Sequence, residues 1–297
     1  MRRSALVIVA VLVAACNRSE EPSTTHGNLF MLVTESYVPL LTKEADGFMT
    51  VYNKTHIRMS GTTTREAIVA LLNDSVRCIC VDRQLNPEEQ KVVQQAGINL
   101  ASIRIGRDAL VLIVSDESPL KTIKLSTIRS ILDKSIATWQ KIPGSHGRGS
   151  LELILLGENS GVNELLRRRF FDLPHAIVPT KTGATEQEIV RYIADNPRAL
   201  GIVSFAAVAG HPKGIHKLSV ESTDSTSEQY VLPTQSNIYE KLYPLNYSLY
   251  LYLSETKLAV GSGFSTYVMT LAGQQIIQDY GLAPEIIPSR IIQLKSE

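Results

Sequence analysis

Cysteine is scarce in this 297-residue chain, with three in all. Cys78 and Cys80 stand two residues apart. On a strand their side chains would point the same way, yet sit too far apart to bridge without distortion. Buried free thiols are expected there, with no disulfide framework and no zinc-type spacing. The six histidines are scattered. His211 and His216 are the closest pair, no cysteine or carboxylate cluster frames them, and no metal or other cofactor is expected. Charge of one sign is lacking too. Lys and Arg number 30 against 29 Asp and Glu, a formal net charge of +1. No global field therefore recruits nucleic acid or an anionic surface. The one basic run, Arg167 to Arg169, reads as a solvated helix face. Long apolar runs are missing beyond the first residues, so no later segment is expected to cross a membrane. G-x-S-x-G, H-E-x-x-H and internal repeats are also absent.

What is present begins with a leader. Met1 to Ala15 opens with Arg2 and Arg3, continues as the apolar run Leu6 to Val13, and ends in small residues. That is a secretory signal, too short to span a bilayer, which takes roughly 20 apolar residues. Leu12 to Cys16 reads Leu-Val-Ala-Ala-Cys and resembles the lipobox of bacterial lipoproteins. The resemblance implies cleavage before Cys16 and acylation of its thiol, hence a chain anchored to a membrane. Residues 16–27 are polar and read as a flexible tether.

Beyond the tether, strands and helices alternate. Leu29 to Val33 is an apolar strand, followed by a helix near Ser36 to Tyr52. Ile57 to Met59 and a helix near Thr63 to Asn73 repeat the pattern. Val76 to Val81 is apolar on both faces, as in a strand covered on both sides. Pro87 opens a helix to Ala96. A long apolar strand is read in the stretch Gly106 to Pro119, and another lies at Tyr243 to Glu255. Between them come helices near Ser126 to Asp133 and Thr185 to Asp195, strands at Leu151 and at Gly201 to Phe205, and a loop or hairpin at Ser219 to Glu228. A last helix is expected from Phe264 to Tyr280. This order predicts an α/β fold.

Three strand-to-helix turns look alike. One holds Thr34 and Ser36. One is Ser60-Gly61-Thr62-Thr63. The third, Glu158-Asn159-Ser160-Gly161, sits between an apolar strand and a helix that buries Val162, Leu165, Leu166 and Phe170. Each sets a short hydroxyl and unpaired backbone N–H groups at the positive end of a helix dipole. That arrangement binds an oxyanion without a cluster of lysines.

The chain resembles the substrate-binding component of bacterial phosphate ABC transporters. The likeness is carried by Thr34-Glu35-Ser36-Tyr37-Val38-Pro39-Leu40, by Asp74-Ser75-Val76-Arg77 followed by Arg83 to Glu89, and by Asp108 to Val114. It continues through Ile128 to Ile142, Asn196 to Phe205, Tyr243 to Leu253 and Leu271 to Pro284, nearly the whole mature chain. The resemblance implies a two-lobed type II periplasmic binding protein, each lobe a mixed sheet flanked by helices, with the ligand in the cleft. Lobe one would take residues 28–112 and 245–297, and lobe two residues 113–244. It further implies a monomer on the periplasmic side of the envelope that passes inorganic phosphate to permease subunits. The binding residues implied are Ser36, Thr62, Asp82, Ser160, Gly161 and Val162, with Thr34, Thr63, Arg83 and Asn159 as neighbours. In the family the carboxylate at the Asp82 position accepts the proton of hydrogen phosphate. Sulfate has none to give. Two positions depart from the pattern. Val162 stands where a threonine is usual, and Leu156 where an arginine is, so Arg83 is the cation expected to compensate.

Other readings stay open: a different oxyanion such as sulfate or molybdate, or a lipoprotein that senses an anion. A serine hydrolase of the penicillin-binding type is the third. Ser118-Pro119-Leu120-Lys121 matches S-x-x-K and Lys181-Thr182-Gly183 matches K-T-G. The first falls in a turn after a strand and the second runs toward a helix, so no enzyme is expected.

Overall fold

In the computed structural model, residues 23–145, 147–171, 177–222, 229–254 and 259–287 are described. The leader, Cys16 and most of the tether lie outside them.

The first half of the chain builds β-α units. Strand β1 (Gly27–Thr34) passes through a 3-10 turn (Glu35–Tyr37) into α1 (Val38–Val51). Strand β2 (Thr55–Thr62) leads to α2 (Thr64–Leu72), and β3 (Cys78–Val81) to α3 (Pro87–Gln95). Capping chemistry sets the helix starts. Thr63 caps α2 and Asn86 caps α3, each in a capping box with a glutamate three residues on, Glu66 and Glu89. The β3 strand is buried throughout, and Cys78 and Cys80 are free buried thiols.

Strand β4 (Ala101–Ser115) comes next, then β5 (Thr122–Ile123), α4 (Leu125–Leu132), β6 (Glu152–Leu156) and α5 (Gly161–Phe170). They are followed by β7 (Lys181–Gly183), α6 (Glu186–Asp195), β8 (Ala199–Ser204), β9 (Ile215–Lys217), β10 (Ser219–Glu221) and β11 (Tyr230–Val231). The chain closes with α7 (Gln235–Tyr239), β12 (Asn246–Leu253), α8 (Val260–Val268), α9 (Leu271–Tyr280) and β13 (Ala283–Pro284). The single terminal helix expected from Phe264 to Tyr280 is two. Thr270 caps α9 through its hydroxyl and so restarts the helix, and Gly281 ends it with φ 103°. The expected hairpin is present as antiparallel β10 and β11, and residues 223–228 of its loop lie outside the described residues.

The main sheet runs β2-β1-β3-β12-β4-β8-β6-β7, with β9 and β13 also pairing with β4. β4 is the strand that joins its two halves. Ala101 to Ala109 pair with β12, and Leu110 to Val114 pair with β8. Every residue from Ile105 to Ser115 is buried, as a strand covered on both faces requires. Around this strand each half is mixed: β1, β2 and β3 are parallel on one side, and β6, β7 and β8 on the other. The turns after β1, β2 and β6 therefore open at strand ends, where ligands bind in such sheets.

Candidate functional site

A cavity of about 240 Å³ opens between the two half-sheets. From the first half it is lined by Thr34, Glu35, Ser36 and Tyr37 after β1, by Thr62 and Thr63 after β2, by Asp82 after β3, and by Tyr247 of β12. From the second half come Leu156 to Val162 and Ala184. All three anion-type turns thus converge on one space.

The turn after β6 is held from both ends. Ser160 Oγ accepts the Asn163 N–H at 3.2 Å and caps α5. Asn163 Nδ2 donates back to the carbonyls of Leu156 at 3.1 Å and Gly157 at 3.4 Å. The Ser160 hydroxyl proton remains for a cavity oxygen, beside the first N–H groups of α5, which have no partner within the helix. Gly161 is required at the start of α5. A β-carbon there would collide with the Asp82 carboxylate.

Asp82 is buried, and Thr64 Oγ1 donates to its Oδ1 at 2.7 Å. Thr34 Oγ1 lies 2.8 Å from Thr64 Oγ1, so the three form a chain that ends on the carboxylate. Burial pushes the Asp82 carboxyl up to about 6, against the stabilising hydrogen bond from Thr64.

Beneath the first turn lies a second buried acid. Tyr37 donates to Asp108 Oδ2 at 2.9 Å and meets the Tyr247 hydroxyl at 2.7 Å. Asp108 Oδ1 accepts the N–H groups of Ala109 at 2.6 Å and Ala206 at 3.3 Å. Burial pushes Asp108 up to about 7. This network fixes Tyr247 against the cavity floor. On the other flank the buried Glu186 accepts from Ser204 Oγ at 2.8 Å and from Ser36.

The structure corrects one residue. Arg83 does not line the cavity. Its guanidinium grips Glu89 at 2.7 and 2.8 Å and pairs with Glu164 of α5 at 2.7 Å. With 5% of its side chain exposed, it is held by carboxylates from both half-sheets and is not the compensating cation expected. Thr62 and Thr63 do line the cavity, but their hydroxyls donate to Glu66 at 2.6 and 3.0 Å. Ser60 and Gly61 belong to strand β2 rather than to the turn.

Thr34, Ser36, Asn159, Ser160, Gly161, Val162 and Asp82 are brought together as expected. Thr64, Tyr37 and Tyr247 were missed. The Thr62-Thr63-Thr64 run offered a signal for Thr64, and Tyr37 lies inside the first quoted motif. Tyr247 is delivered by a strand more than 200 residues from Tyr37, with no local signal.

The S-x-x-K segment does not form a nucleophile and base. Ser118 lies outside any helix, and the Lys121 amine contacts the Ser118 carbonyl at 3.4 Å and the His216 ring at 3.3 Å. Lys181-Thr182-Gly183 is strand β7, at the sheet edge, and the Lys181 amine sits 3.8 Å over the Tyr192 ring. Among the described residues no group of His, Cys, Asp and Glu is placed to hold a metal ion.

Comparison with known proteins places the geometry in context. Residues 18–270 match the model of the PBP superfamily domain. Protein SphX of Synechococcus elongatus is 18% identical over 292 residues, covering 96% of this chain and 86% of that protein. A Clostridium perfringens protein assigned to phosphate ABC transport and solved with bound phosphate superposes with a TM-score of 0.73 at 19% identity. The match covers 87% of this chain and 99% of that one. An ABC-type phosphate transport receptor from Vibrio cholerae gives 0.69 at 16% identity, over 86% and 99% of the two chains. At these identities the structural likeness is one of fold: two lobes on a shared sheet with a cleft between them.

Proposed function

The chain belongs to the PBP superfamily, and we propose that it captures inorganic phosphate outside the cytoplasm and delivers it to the permease of an ABC transporter. The observation that carries the reading is the meeting of Asp82 with the Ser160-Gly161 start of α5 inside one cavity. Helix N–H groups and the Ser160 hydroxyl face the charge of a tetrahedral oxyanion, and a buried carboxylate faces its proton. That pairing favours a protonated oxyanion over sulfate. Phosphate is also what the printed names of the Clostridium and Vibrio proteins attach to this fold.

The ligand set comprises Thr34, Ser36, Asp82, Asn159, Ser160, Gly161 and Val162, with Thr62 and Thr63 at the wall and Thr64 behind Asp82. The lobes divide at β4, so that residues 28–112 and 245–297 close against residues 113–244. No catalytic step is assigned, and the protein works as a monomer. The basic leader and the lipobox-like Cys16 support attachment to a membrane facing the periplasm, through a lipid on Cys16.

Calorimetric titration of the purified chain with phosphate, arsenate, sulfate and molybdate tests the assignment. Saturable heat is expected with phosphate and arsenate. Tight sulfate or molybdate binding without phosphate binding would overturn it.

A further inference from the structure

Resting on the phosphate reading, we propose that this cavity takes phosphate in its singly charged dihydrogen form, because its walls are rich in acceptors and hold no cation. Among the described lining residues there is no Lys, Arg or His, while Asp82 brings a buried carboxylate and Glu35 and Glu158 are acidic residues of the same wall. The two positions that could have supplied a cation and a further hydroxyl are Leu156 and Val162.

The nearby cations are already committed. Arg83 is tied to Glu89 and Glu164, and Arg167 reaches back to the Glu158 carboxylate at 3.5 Å and the Glu158 carbonyl at 3.2 Å. Many hydroxyl protons are committed as well. Thr62 and Thr63 give theirs to Glu66, and Ser36 is bonded to Glu186. Thr34 and Thr64 pass theirs toward Asp82. What remains for the ligand is the Ser160 hydroxyl, the Asn159 side-chain amide, the leading N–H groups of α5 and the backbone of the turn after β1.

Asp82 is surrounded by groups from several elements. Thr64 comes from α2, Gly161 and Glu164 from α5, Tyr37 from the 3-10 turn, Tyr247 from β12, Cys80 from β3, and Arg83 is its chain neighbour. The one cation in that set is the doubly paired Arg83. Each further negative charge on the ligand therefore faces the Asp82 carboxylate with no cation among the described lining residues to offset it. Each further O–H on the ligand meets an acceptor, with Asp82 the nearest to α5. Dihydrogen phosphate brings two such donors and one charge fewer than the hydrogen phosphate dianion. Above the second ionisation of phosphate, binding must take up one proton from solvent. That proton is shared within the ligand–Asp82 pair, so it is counted for the pair rather than assigned to one group.

The test is calorimetry of the full-length chain with inorganic phosphate between about pH 6 and about pH 9. The apparent Kd should weaken about tenfold per pH unit once phosphate loses its second proton. At the alkaline end, titrations in two buffers of different ionisation enthalpy should report uptake of about one proton per phosphate bound. Leu156→Arg should reverse the preference, flattening the pH profile and tightening alkaline binding at least tenfold. If that variant fails to fold, the two-buffer measurement on the unmodified chain still decides. An affinity constant across this range, with no proton uptake, overturns the proposal and leaves phosphate as the ligand. Phosphate heat absent at every pH overturns both.

Discussion

At the scale of single residues, Asp82 and Gly161 are one device. The glycine brings the positive end of α5 against a buried carboxylate, and a methyl group has no room there. Gly161→Ala should therefore weaken phosphate binding at least tenfold, about 1.4 kcal/mol, while the remote core stays intact. Calorimetry together with a thermal melt checks this; unchanged affinity would separate Asp82 from the ligand. Glu44 shows the opposite use of a carboxylate. It is fully buried in α1, neither oxygen has a hydrogen-bond partner among the described residues, and burial pushes it up to about 9. Its unfolded value is near 4.5. The folded chain thus holds a proton that the unfolded chain releases across that interval. Glu44 is least costly below about pH 4.5, and stability should fall as pH rises from there toward about 9. Glu44→Met removes the group that titrates. It should raise stability near pH 8 by about 1–3 kcal/mol and flatten that part of the profile, as read from denaturant midpoints against pH.

At the scale of elements, α5 carries both a structural and a binding role on one hydroxyl. Ser160 caps the helix through Asn163 and keeps its proton for the cavity. Ser160→Ala should cost about 1 kcal/mol of stability from the lost cap and about 1–3 kcal/mol of phosphate affinity. Ser160→Asp offers a check, since aspartate also caps well. It should restore the melting temperature and leave binding poor, because it adds a carboxylate beside Asp82 where no described lining residue is a cation. Recovery of both would mean that the cap alone mattered. Helix α2 is the counterpart. Its capping box draws the Thr62 and Thr63 hydroxyls to Glu66, and its next residue, Thr64, turns inward to Asp82. One turn thus spends the hydroxyls of its first two threonines on Glu66 at the cavity wall and that of its third on Asp82 behind it.

At the scale of the whole molecule, the two half-sheets meet through polar contacts beside the cavity. Arg83 of the first bonds Glu164 of the second, and Ser36 of the first bonds Glu186 of the second. These contacts bridge the two half-sheets beside the cavity. Arg83→Ala should leave Glu164 without its partner across the cleft and favour opening. We expect phosphate to dissociate faster and to bind more weakly by about 1–2 kcal/mol, a factor of 5 to 30. Small-angle scattering of the ligand-free variant should give a larger radius of gyration than the unmodified chain. Identical scattering and release rates would show that this pair does not govern closure.

The sequence by itself determined the class of the fold and the address of the turns. Hydrophobic periodicity is a local property, so the β-α order, the fully buried β3, the buried run within β4, and the capped start of α5 could all be read from neighbours in the chain. The hydroxyl–glycine turns could be read for the same reason: an N-cap needs only the residues that follow it. Tertiary structure alone decided what those turns face. Arg83 looked like a free cation because nothing near it in sequence says that Glu164 will arrive from the other half-sheet to claim it. Tyr247 and Asp108 were placed under the first turn by the pairing of β12 with β4, a contact between distant segments. The Thr62 and Thr63 hydroxyls were diverted by a capping glutamate, and Thr64 was aimed inward by the phase of a helix that starts one residue later than expected. Propensity and patterning act over a few residues. Charge balance in a cavity depends on which side chains share its volume, and that is fixed only when the sheet is assembled.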